Sequence, residues 1–442
     1  MNFKNIFAFF QPAAPYIKDD IEVRFGRYTD AHKPLEKEQS WQRALFFYEQ
    51  KNYKQAYLEF FNFLLDEDEA NVEIVLEEEG ENFRILFTIF QGSKKVVGEA
   101  TAQNFSAQVQ IAESKVPNIA LYRELMESNY NFFYSCFSLS SENILSMRFS
   151  TDTEDSNPAK LYNGLREIAI NADKNDDVWL AQFPQLAPID DCPVGELPQN
   201  EIDNKVYFVK KWIHEALRAC QEGAMAKLEA LVSFYYLTVL YRIDYLTLPE
   251  GDILNLIETA HSQFFNEDNL PIAAKNQALQ KILTQLSEFS EKQVAKNFYA
   301  TKSTFGVAKP ADLPEINAHL TAQLQAVFWY LDNKLDHFVP LILEYAALYA
   351  FFNFGMPTPH RRFLHLYIRI INTDYFVALG GKKLFWQGER LHKKQIQEYL
   401  KEIVRSQKEM YPRLQFDTKK LNFNDLVPFS ISYFDAIRKL EY

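Results

Sequence analysis

Residues 83–111 read FRILFTIFQGSKKVVGEATAQNFSAQVQI, and this stretch sets the architecture of the first part of the chain. Phe83, Ile85, Phe87 and Ile89 recur at every second position, and Phe105, Ala107, Val109 and Ile111 do the same with Ser106, Gln108 and Gln110 between them. A period of two puts alternate side chains on one face of a strand, so both segments predict half-buried strands. Upstream, Val72, Ile74 and Leu76 alternate with Glu73 and Glu77 and add a third. Downstream, Asn118 is placed to cap a helix with Leu121, Tyr122, Leu125 and Met126 on one face. Phe132, Tyr134 and Cys136, and then Ile144 and Met147, return to strand texture, with Phe133 and Phe137 alternating to the other side. Ser156, Asn157 and Pro158 open a helix that turns Leu161, Leu165 and Ile168 inward.

Before the strands, residues 41–65 read as a helical hairpin: Ala44, Phe47 and Tyr48 precede the polar Gln50, Lys51 and Asn52, and Ala56, Tyr57, Phe60 and Leu64 follow at helical spacing. The segment FYEQKNYKQAYLEFFNFLLDED resembles one tetratricopeptide unit, with Tyr53, Ala56 and Phe60 at its packing positions, and no second copy follows at a period near 34 residues. The order helix, three strands, helix, two strands, helix resembles the type III secretion chaperone-like fold and the related YbjN family. The residues that carry this are the stretch quoted first, then NIALYRELMESNYNFFYSCFSLSSENILSMRFS and PAKLYNGLREIAINAD. The resemblance covers residues of about 40 to 175. It implies a small acidic unit, commonly dimeric, that binds extended polypeptide or acts in regulation, and it brings no catalytic residue. A homodimer is therefore one assembly it allows, although the long C-terminal addition bears on the surface used.

Pro184, Pro188, Pro193 and Pro198 with Asp190 and Asp191 interrupt any helix and predict a linker. Beyond it the texture is helical. Val206, Val209, Trp212, Ile213, Leu217 and Cys220 form one apolar face, 225–246, 252–265 and 274–289 continue the pattern, and 312–332, 334–354, 359–371, 389–409 and 428–439 read as further helices. The fold class expected is thus an α+β domain, an antiparallel sheet with helices, followed by a large all-α domain. Its parts are an N-terminal extension (1–40), the α+β domain (41–175), a proline-rich linker (176–204) and the helical domain (205–442). The stretch 338–356 is the most apolar, but Pro340, Glu344 and Asn353 make it a buried helix rather than a membrane span.

A length of 442 residues is too great for one ordinary core, and 47% hydrophobic with 24% charged residues describes a folded chain. Cys136, Cys192 and Cys220 are too few and too far apart for a disulfide framework, which fits a reducing, cytoplasmic setting. The net charge of -12 divides into -14 for residues 1–200 and +2 for residues 201–442. An acidic first half repels phosphate backbones, so nucleic acid is not an expected partner, and basic polypeptide is. Phe3, Ile6, Phe7 and Phe10 make a short apolar face suited to a groove in this chain, a partner's groove or a membrane surface.

Motifs for chemistry are scarce. His360 and His365 lie five apart, about 140° round a helix, unlike a zinc-binding pair. The adjacent Asp336 and His337 do not face each other on a helix, and Gly380, Gly381, Lys382 and Lys383 lack the spacer of a phosphate loop. No catalytic group, metal or cofactor is expected. One cluster remains: Thr358 and Pro359 predict a capped helix start, and His360, Arg361, Arg362 and Arg369 bring positive charge to where free N–H groups favour an anion. Residues 361–420 together carry +8. The first functional expectation is a non-enzymatic, chaperone- or adaptor-like protein that docks polypeptide, with Phe133 and Phe137 on its docking face. The alternative is an enzyme or sensor for a phosphate or carboxylate ligand in the helical domain.

Overall fold

The computed structural model describes residues 21, 23–27, 33–67, 69–80, 82–189, 194–221, 225–267 and 269–442, without the side chains of 175–178, 181 and 226. Phe3, Phe7 and Phe10 lie outside the described residues. The chain forms two units, one of Tyr28–Gly195 with Ala300–Val307, the other of Pro12–Arg27, Glu196–Tyr299 and Ala308–Tyr442.

The first unit is α+β. Helices α1 (Leu35–Glu49) and α2 (Tyr53–Leu64) form the expected hairpin, the second started by Asn52, whose side chain accepts the Gln55 N–H. Strands β1 (Val72–Glu79), β2 (Asn82–Gln91), β3 (Lys94–Thr101) and β4 (Asn104–Ser114) follow. After them come α3 (Ile119–Tyr130), β5 (Cys136–Leu139), β6 (Ile144–Asp152), α4 (Pro158–Gln182) and the short β7 (Leu186–Pro188). The sheet runs β1-β2-β3-β4-β6-β5, antiparallel throughout, with β7 added beside β4. Periodicity missed β3 because Lys94, Lys95, Val96 and Val97 do not alternate in polarity; cross-strand pairing with β2 and β4 makes it a strand.

The alternating residues predicted from β2 and β4 do face the core. Ile85, Phe87, Ile89, Phe105, Ala107, Val109 and Ile111 are all buried, joined by Tyr57, Phe60 and Phe61 from α2 and Leu161, Leu165 and Ile168 from α4. Phe61 stands 4.8 Å from Phe87 and Phe87 5.1 Å from Phe105, ring centre to ring centre, offset contacts that aromatic pairs favour. Two glycines permit this packing. A Cβ on Gly98 would lie 2.3 Å from the Phe87 ring, and one on Gly164 2.7 Å from the Phe149 ring.

The stretch 176–204 is not one linker. Helix α4 continues to Gln182, Leu186–Pro188 pairs with β4, and helix begins again at Gln199. A larger departure comes from far along the chain, because Ala300–Val307 completes the first unit. The Ala300 N–H donates to the Gly195 carbonyl and the Gly195 N–H to that of Ala300. The Thr304 hydroxyl donates to the Phe90 carbonyl at 2.9 Å, the Thr304 and Phe305 N–H groups donate to Gln91 Oε1, and Phe305 is 1% exposed in the sheet's core. The 205–442 segment therefore does not belong entirely to the helical part.

The second unit contains α5 (Gln199–Gln221), α6 (Glu229–Thr247), α7 (Gly251–Phe265), α8 (Ile272–Glu288) and α9 (Glu291–Ala295). It continues with α10 (Leu313–Asp332), α11 (Val339–Asn353), α12 (Thr358–Ile371), α13 (Thr373–Ala378), α14 (Lys393–Gln407) and α15 (Leu426–Ile437). Helices α6 and α11 bury residues on nearly every side and pack against each other at its centre, as predominantly apolar helices must. Most of the apolar stretch 338–356 is therefore the buried helix α11, with Phe354–Gly355 leaving it as a short strand, and among the described residues no helix is long and apolar enough to cross a membrane. Part of the expected N-terminal extension belongs here: Gly26 N–H donates to the Tyr245 carbonyl, and Arg27 pairs with Asp244 at 2.6 Å and Glu258 at 3.0 Å.

Candidate functional site

Helix α3 and the turn that leads from it to β5 carry exposed apolar side chains on the α+β unit. Helix α3 buries Leu121 and Leu125, which leaves the opposite stripe outward: Ile119 is 70% exposed, Met126 73% and Tyr130 91%. Intervals of seven and four residues keep these three within about 40° of one helical face. Phe133, 91% exposed, follows directly.

The turn that carries Phe133 is held by one carboxylate. Glu167 on α4 accepts the N–H groups of Phe133, Tyr134 and Ser135, each at 2.9 Å, and the Ser135 hydroxyl at 2.8 Å. A carboxylate with this many donors fixes the backbone, so Phe133 is presented in one place at little ordering cost. Asn129 clamps the other side: its Oδ1 accepts the Phe137 N–H at 2.6 Å and its Nδ2 donates to the Phe137 carbonyl at 3.1 Å. Those are the backbone groups that an added strand would need at this position of edge strand β5. The opposite edge, β1, is lined by Glu73, Glu77, Glu78 and Glu79, charges of the kind that blunt strand addition.

This geometry corrects the expected docking pair. Residues 131–135 form a turn rather than a strand, so alternation restarts at Cys136, which is exposed, while Phe137 is 5% exposed and packs 4.4 Å from Trp179. Phe137 is core, and Phe133 is outside. Met126, expected on one face with Leu121 and Leu125, is instead on the outward stripe, because it lies about 140° round the helix from Leu121, and sequence reading also passed over Tyr130 and Ile119 on that stripe.

The expected anion cluster is dispersed. Helix α12 begins at Thr358 with Pro357 as its cap residue, and no side chain caps it. His360 is fully buried, its Nδ1 2.8 Å from the Tyr442 hydroxyl, and Arg369, nine residues on and half a turn round, lies over Phe385 and Phe376. Arg361 and Arg362 are half-buried, and Arg361, Arg362 and Arg369 all have partners within the protein. The four do not face one ligand. Among the described residues no three of His, Cys, Asp and Glu converge as metal ligands.

Burial pushes the His360 imidazole down to about 4 from its ordinary 6.5. The unfolded chain then binds the extra proton between these values, so stability is complete above about pH 6.5 and falls as the pH drops toward 4, by up to about 3 kcal/mol. Urea midpoints at about pH 7.5 and 4.5 for the wild type and His360→Gln check this. The variant should lose less on acidification, and equal losses would remove His360 as the cause.

A second polar feature lies at the centre of the helical unit. Arg242 of α6 and Glu344 of α11 form a buried two-toothed pair, Nε to Oε1 at 2.8 Å and Nη2 to Oε2 at 2.7 Å, and Asn372 Nδ2 donates to the same Oε1 at 2.7 Å. Burial opposes the Arg242 charge, but the attraction of Glu344 outweighs it and holds the guanidinium protonated. A charge inside an apolar helical run was the available signal for Arg242; Glu344 carried it too. Comparison with protein-family models, curated proteins and solved structures returns no match.

Proposed function

We propose that the α+β unit is a docking platform for polypeptide, working through the α3–β5 corner in the manner the chaperone-like and YbjN resemblance implies. The observation that carries this is the exposed stripe of Ile119, Met126 and Tyr130 on α3, followed by the exposed Phe133 on a turn fixed by Glu167. Exposed large apolar side chains along one helix face mark interaction sites, and aromatic anchors held in place dominate such contacts. Glu124 and Glu127 lie on α3 with Arg123 as a counter-charge, and Glu142 is in the turn after β5, so the occupant is an apolar segment with basic flanks. Its side chains, rather than an added strand, make the contacts, because Asn129 occupies the Phe137 edge groups.

The test is binding of a peptide panel that varies apolar and basic content, read by fluorescence anisotropy. Tyr130→Ala with Phe133→Ala should weaken the best binder by about tenfold or more while leaving thermal unfolding unchanged, since both rings are exposed. Glu167→Ala should also weaken it, with both rings retained, through loss of the fixed turn. Equal binding by the wild type and the double variant would overturn the reading.

A further inference from the structure

A pocket of about 380 Å³ opens within the helical unit between α5, α6 and the α12–α13 corner. This is within the size range of small-molecule sites. Trp212, Tyr235 and Trp386 are among its walls, Arg242 is on its lining, and Lys211 and Lys383 bring two further cations.

Arg242 is the informative residue. It is 8% exposed, and Glu344 takes up Nε and Nη2. Nη1 has no hydrogen-bond partner among the described residues and is not among the enclosed polar atoms, and Arg242 lines the pocket. Glu344, itself held by Asn372, fixes the guanidinium plane, which makes Nη1 an oriented donor. Trp212 lies against the guanidinium, 5.4 Å from ring centre to Cζ, so flat aromatic surface continues up to the donor.

The charges at the pocket limit the ligand. Glu215 and Asp374 also line it, so they offset most of the charge of Lys211, Arg242 and Lys383, and the small positive excess matches a singly charged anion better than a multiply charged phosphate. We propose that this pocket binds a small carboxylate bearing a flat aromatic or heteroaromatic ring, with the carboxylate on Arg242 Nη1 and the ring among Trp212, Tyr235 and Trp386. This site is separate from the polypeptide-docking corner and does not depend on it.

Calorimetric titration of the full chain with benzoate, 2-naphthoate and indole-3-carboxylate tests the assignment, with the matching carboxamides and 2-naphthyl phosphate as comparison arms. At least one carboxylate should bind saturably and at least about tenfold more tightly than its carboxamide and than the phosphate. Trp212 and Trp386 supply an independent readout as quenching of tryptophan fluorescence. Arg242→Lys should abolish the preference for carboxylate. Because that variant disturbs a buried pair, Lys383→Glu, at an exposed position, provides the second arm and should weaken carboxylate binding several-fold with the unfolding transition unchanged. Absence of saturable binding by every carboxylate, equal affinity for the carboxamides, tighter binding of the phosphate, or an unchanged affinity in Lys383→Glu would each overturn it.

Discussion

Phe305→Ala is expected to destabilise the α+β unit by about 3 to 5 kcal/mol, a large share of the roughly 5 to 15 kcal/mol that holds a domain folded. The ring is 1% exposed, sits 5.5 Å from Tyr162 and belongs to the same cluster as Phe61, Phe87 and Phe105. Its backbone is held as firmly. The Thr304 and Phe305 N–H groups share Gln91 Oε1, Arg166 donates to the Gly306 carbonyl at 2.9 Å, and Asn71 Nδ2 donates to the Thr304 hydroxyl at 3.1 Å. A fragment of residues 33–195 should therefore expose an apolar slot and leave Gln91 and Asn71 short of partners. It should lack cooperative urea unfolding, which the same fragment with residues 300–307 joined by a flexible linker should regain. A Phe305→Ala loss below about 1 kcal/mol, or a cooperative 33–195 fragment, would show that the returning segment lies on the unit without supporting it.

The second large effect concerns Arg242 and Glu344. Replacing Arg242 by methionine leaves the Glu344 carboxylate, itself 2% exposed, buried without its cation, and the helical unit should lose about 3 to 5 kcal/mol. Glu344→Leu should cost a similar amount by stranding the guanidinium. The double replacement removes both charges together, so it should be far more stable than the two losses added. Urea unfolding of the four proteins, followed by the fluorescence of Trp212, gives the coupling directly. Additive losses in the double variant would mean that each residue acts through separate packing. The pair spans 102 positions of sequence, and Asn372 reaches it from 28 positions further along.

Both cases show where local reading ends. The period-two runs of β2 and β4, the apolar faces of α5, α7 and α8, and the buried character of α11 follow from patterns inside windows of a few turns or one strand, so an α+β part and a helical part were legible from composition and spacing. The docking pair at residues 133 and 137 was half legible: both are aromatic and near an exposed helix. Which one points outward depended on Glu167, more than 30 positions away, capturing three N–H groups and turning a continuous alternation into a turn followed by a fresh strand. The His360, Arg361, Arg362 and Arg369 cluster looked like one patch along the chain, yet helical rotation sends His360 to Tyr442 and Arg369 to Phe376 and Phe385. The return of Ala300–Val307 to the first unit left no mark on its own eight residues. Spacing along a chain fixes which side chains share a face, because backbone geometry repeats over a few residues. What a buried N–H, carboxylate or guanidinium meets depends instead on groups that fold back from far away, and those partners are selected by the cost of leaving such groups unsatisfied once water is gone.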